Sequence, residues 1–168
     1  MSKFLYSFLL SIAIFSIAFG QVDCSNVPEL MHRTNDYAEI LSLEEEKELS
    51  AFLKTLEDEV GSQVAILTID TLDGEKIESY SLRVANCWGL GRKDYDDGLL
   101  ITVVLLNRQM RIEVGYGLEK IIKDEIAKNI IDSEMVPEFQ KAEFYNGIKK
   151  ATFKIDSLIR SNTQLVGE

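Results

Sequence analysis

The chain has 168 residues, of which 46% are apolar, and carries a formal net charge of −10 at pH 7. That length and apolar content suit one domain with a full core. The acidic balance excludes a nucleic-acid binder, because phosphate recognition needs a basic footprint, and points toward cations or basic partners instead.

Residues 1–20 read as an export signal. Lys3 gives a short positive start, Phe4 to Ile17 form an apolar run, and Ala18-Phe19-Gly20 end it with small residues before Gln21. Cleavage there leaves a periplasmic or extracellular chain with no stable membrane anchor. The alternative is a tether formed by the same segment left uncleaved. Residues 21–34, with Pro28, read as an irregular lead-in to a domain spanning 35–160. Of the two cysteines, Cys24 falls in that lead-in and Cys87 beside Trp88. Export permits them to pair, but one pair is no disulfide framework, and the simpler reading is a tail thiol and a buried thiol.

Ser42, with Glu45 three residues on, predicts the capped start of a helix whose face is Leu49, Phe52, Leu53, Leu56 and Val60 and whose end is Gly61. Gln63 to Ile69 reads as a buried strand and Asp73-Gly74 as a turn. A second helix over 76–88 shows Ile77, Tyr80, Val84 and Trp88 on one side. Leu99 to Leu106 then reads as a second buried strand. Strand, helix and strand make a βαβ unit with parallel strands. Their continuous apolar character requires cover on both faces. The alternation Met110-Arg111-Ile112-Glu113-Val114 after a short link predicts an antiparallel hairpin partner. Helices follow over 124–135 and 144–159, separated by a break at Pro137, and residues 161–168 read as a flexible tail. The fold expected is a three-layer α/β/α sandwich with a mixed central sheet and helices on both faces. No internal repeat is evident.

The hairpin bears on chemistry. It brings the start of the strand after Asp97 to the same edge as the end of the strand before Gly115, so Asp94, Asp96, Asp97, Glu119 and Asp124 are expected near one another. Crowded carboxylates repel, and a hard divalent cation with oxygen ligands is the natural neutraliser. The plain alternative is a solvated acidic loop that keeps the sheet edge soluble. No other constellation competes. Cys87 and Arg92 lack the spacing of a cysteine phosphatase loop, and a single histidine, His32, argues against a Ser-His-Asp triad or a histidine metal site.

The ordered set Asn35-Asp36-Tyr37-Ala38, Gln63-Val64-Ala65, Trp88-Gly89-Leu90-Gly91, Asp96-Asp97-Gly98, Gly115-Tyr116-Gly117-Leu118-Glu119, Asp124, Pro137-Glu138-Phe139 and Tyr145-Asn146-Gly147-Ile148 resembles the TPM domain family. The resemblance implies an exported or membrane-associated α/β domain that binds a divalent cation, calcium first and magnesium second. It adds Asp36 to a ligand set of Asp36, Asp96, Asp97, Glu119 and Asp124. Two functions follow as expectations. One is a noncatalytic modulator or assembly module for an unidentified envelope or membrane protein. The other is an acid phosphatase using metal-activated water on phosphomonoesters, since no phosphoryl-accepting nucleophile is visible.

Overall fold

The computed structural model describes residues 22–167; the expected export signal lies outside them. A four-stranded sheet in the order β1-β2-β3-β4 is built from β1 (Thr34–Asp36), β2 (Gln63–Ile69), β3 (Gly98–Val104) and β4 (Gln109–Val114). The first three strands are parallel and β4 is antiparallel to β3. The expected βαβ unit and hairpin are therefore both present.

Alternation along the buried strands divides the core in two. Val64, Ile66, Leu99, Ile101 and Ile112 face α1 (Leu43–Val60), α3 (Asp124–Ile130) and α5 (Phe144–Ser161). Ala65, Leu67, Leu100 and Val104 face Tyr80 and Val84 of α2 (Ile77–Trp88). This is the expected sandwich, with most of the helical layer on one side. The Ser42 capping box is formed, and Gly61 closes α1 in the left-handed conformation. Those two local signals fix both ends of the first helix.

Four features depart from expectation. The lead-in runs into a strand, β1, with no apolar residue in it. Its order comes from polar bonds: buried Asn35 accepts from the Met31 and His32 amides at 2.9 and 3.2 Å and donates to the His32 carbonyl at 2.8 Å. Pro137 does not break the helical run. After α3 the backbone passes through a π-helical turn, Ile131–Met135, into α4 (Val136–Phe139), where Pro137 occupies the first turn and needs no amide partner. The tail is docked: Leu165 and Val166 pack on the core and the Gly167 amide donates to the Gly117 carbonyl at 3.0 Å.

The fourth departure is covalent. Cys24 and Cys87 are joined in a disulfide, 63 residues apart in sequence, so neither is the thiol that spacing suggested. The lead-in is held against the end of α2, where Trp88 also donates from its indole nitrogen to the Pro28 carbonyl at 2.7 Å. The two residues converge because the lead-in crosses beside α2 before entering β1, a path no local pattern encodes. Closing a loop of that length restricts the unfolded chain, so Cys24→Ala with Cys87→Ala is expected to lose about 2–4 kcal/mol of stability. Urea denaturation of this variant and of the unreduced chain measures the difference.

Candidate functional site

The loop from Arg92 to Asp97 joins α2 to β3 at the end of the sheet where the parallel strands begin. Asp97 is 0% exposed, and a carboxylate so placed requires a counter-charge. Arg92 supplies it. One Asp97 oxygen accepts from the Arg92 backbone amide at 2.8 Å, and the other accepts from Nε at 2.8 Å and Nη2 at 2.5 Å. The guanidinium lies under the Tyr95 ring, 4.0 Å from its centroid. It also lies so close over Gly61 that a side chain there would meet Cζ at 2.5 Å. The Asp97 carbonyl accepts from Gln63 N at 3.0 Å, and the Gln63 side-chain oxygen accepts from Gly91 N at 2.9 Å. The loop is thus bolted to the first residue of β2.

The hairpin delivers the second loop as expected. Gly115 N donates to the Gly98 carbonyl at 2.8 Å, and Gly117 N donates to the Asp96 carbonyl at 3.1 Å. A Cβ on Gly117 would sit 1.7 Å from the Tyr95 carbonyl oxygen, so this approach admits only glycine. Asp96, with φ 48°, takes the left-handed conformation that aspartate tolerates. Its side chain and those of Asp94, Glu119 and Asp124 are exposed, as are the rings of Tyr95 and Tyr116.

Asp36 is elsewhere. It pairs in register with Thr68, five positions beyond the Gln63 that is level with Gly98, which puts it roughly 17 Å up the sheet at the strand rise per residue. Its carboxylate accepts from the Thr68 hydroxyl and from Leu41 N at 2.7 Å, fixing the entry to α1. Burial, and then the Asp36 charge, raise the Glu46 carboxyl above its ordinary value.

The five-residue ligand set therefore divides. Asp36 stands at the far end of the sheet, Asp97 is committed to Arg92, Asp96 and Glu119 are exposed on the two loops that the Gly117–Asp96 bond joins, and Asp124 is exposed at the start of α3. The donor chemistry of the exposed set, carboxylate oxygen without thiol or imidazole, fits a hard cation. Its geometry provides no cage: among the described residues no group of three or more His, Cys, Asp or Glu side chains is placed to hold a metal ion. The roles of Arg92 and Gln63 escaped the sequence reading. The signal that could have found Arg92 is its place in the same short loop as an aspartate entering a wholly buried strand. A cavity of about 710 Å³, lined by Val103, Leu106, Met110, Phe139 and Phe144 among others, opens at the opposite end of β3 and contains no carboxylate.

The family model described as TPM domain matches residues 34–158. Among solved structures, the N-terminal domain of a protein from P. gingivalis is 24% identical, with a TM-score of 0.75 over 84% of this chain and 93% of that one. The BA42 protein from the psychrophilic bacterium Bizionia argentinensis is 16% identical, with a TM-score of 0.64 over 73% and 83%. The N-terminal domain of the cg2496 protein from Corynebacterium glutamicum is 12% identical, with a TM-score of 0.61 over 85% and 88%. These likenesses establish a shared fold. No curated protein matches the chain.

Removing one partner of the buried pair tests its weight. Arg92→Met strands the Asp97 carboxylate and is expected to cost about 3 kcal/mol or more. Asp97→Asn is expected to cost less, because the amide oxygen still accepts from the Arg92 backbone and the partly exposed guanidinium reaches water. Urea denaturation of both variants checks that order.

Proposed function

The chain belongs to the TPM domain family, and from that premise we propose that it is an exported, noncatalytic interaction module. It meets an envelope or membrane protein through the acidic end of its sheet, and takes up a divalent cation, calcium before magnesium, at the rim. Asp97 carries this reading. It is the buried carboxylate of that end, and both of its oxygens are taken by Arg92. The carboxylates left over are exposed, and so are the rings of Tyr95 and Tyr116, a residue type enriched where proteins associate.

Asp96 and Glu119 are the residues to hold a cation, with Asp94 and Asp124 flanking. A bound cation would supply charge neutralisation of the seam between the two loops, and water would complete its shell. Without a cage the affinity belongs in the weak, extracellular range, with Kd of about 0.1–1 mM. The Cys24–Cys87 bond supports export, because structural disulfides persist in oxidising compartments. Among the described residues no helix is long and apolar enough to cross a membrane.

Thermal melting tests the reading. Calcium at ten times Kd is expected to raise the midpoint by about 3–6 °C, and Asp96→Asn to remove most of that rise. A midpoint indifferent to millimolar calcium refutes cation uptake. Hydrolysis of a phosphomonoester that co-purifies with the chain and is lost in Asp96→Asn refutes the noncatalytic reading in favour of a metal-assisted phosphatase.

A further inference from the structure

β4 is an edge strand, and the phase of its ladder shows which backbone groups lie on its open side. Its pairing with β3 runs without a bulge from Leu99↔Val114 to Val104↔Gln109. The bond from Gly115 N to the Gly98 carbonyl at 2.8 Å marks a hydrogen-bonded pair. Alternation then turns the backbone groups of Glu113, Arg111 and Gln109 toward β3 and those of Met110, Ile112 and Val114 outward. Among the described residues no backbone hydrogen bond from another element closes on those outward groups. The strand has no proline and no lysine, so two common protections of an edge are missing.

Its two charges are of opposite sign. Arg111 and Glu113 lie on one face, bonded to each other with Nε to Oε2 at 2.5 Å. We propose that a second copy of this chain adds along β4, antiparallel about a twofold axis through Ile112, giving one sheet continuous across two subunits. In that register Ile112 meets the partner's Ile112 and Met110 meets the partner's Val114, and both pairings use the outward amides and carbonyls. Between them Arg111 stands opposite the partner's Glu113, and Glu113 opposite the partner's Arg111. These are non-hydrogen-bonded pairs, in which Cα atoms approach to about 4.5 Å and side chains interact most closely.

Neighbouring registers lose this match. A twofold through Arg111 sets arginine against arginine, and one through Glu113 sets glutamate against glutamate. The sequence QMRIEV is thus self-complementary in one register, as an isologous interface requires. α2 packs against β4. The net charge of −10 on each copy opposes association, but that field is screened beyond about 8 Å at physiological ionic strength, and contact pairs are screened less.

Sedimentation equilibrium of the purified chain, combined with amide hydrogen exchange, tests the interface. The expected result is a monomer–dimer equilibrium in which the amides of Met110, Ile112 and Val114 become protected as concentration rises. Glu113→Arg is expected to weaken the dimer at least about tenfold by placing like charges opposite each other twice. Arg111→Glu combined with Glu113→Arg is expected to restore it. Circular dichroism shows whether each variant keeps the monomer fold. Three outcomes overturn the proposal: a monomer at every concentration, a dimer in which those amides still exchange freely, and a dimer unaffected by the single reversal.

Discussion

The fold is organised around a buried carboxylate. Asp97 enters the sheet with its side chain sealed from water, and Arg92, five residues earlier, closes on both of its oxygens. An uncompensated charge at that depth would be destabilising by several kcal/mol, so the loop has one viable shape. That shape dictates the rest of the end of the sheet. Gln63 N finds the Asp97 carbonyl, which holds the parallel register of β2 and β3. The Asp96 carbonyl is turned to receive Gly117, which binds the hairpin's far end to the loop. The exposed acids at the rim follow from this clamp, since the residues on either side of a tightly bonded turn are forced outward.

The larger architecture was legible because its signals are local or periodic. The Ser42 capping box, the Gly61 terminus, the two apolar strands and the alternation around Ile112 each specify an element without reference to distant residues. The βαβ handedness and the hairpin then arrange those elements with little freedom. What escaped the sequence depends on contacts between segments far apart. β1 has no apolar pattern because Asn35 orders it by polar bonds. The helical run passes Pro137 because a π-helical turn precedes it and places the proline in a first turn. The disulfide and the docked tail depend on where the lead-in and the last residues meet finished structure.

The candidate site was half legible for the same reason. Convergence of the Asp96-Asp97 loop with the segment from Gly115 to Glu119 follows from a hairpin and is present. The separation of Asp36 follows from the order and register of a strand that composition did not reveal. The commitment of Asp97 to Arg92 could not be read from charge counts, because a cluster of aspartates looks alike whether its members bind solvent, a cation or a neighbouring guanidinium. Burial separates the cases: the aspartate that is sealed is structural, and those that are exposed are available to a partner.

This division between a structural Asp97 and an available rim is tested most directly by following side-chain carboxyl carbon resonances in labelled protein as calcium is added. The account predicts that the Asp96 and Glu119 resonances move together and saturate while Asp97 does not respond. Movement of the Asp97 resonance with the same saturation curve would contradict it, because Arg92 would then be surrendering its carboxylate to the cation.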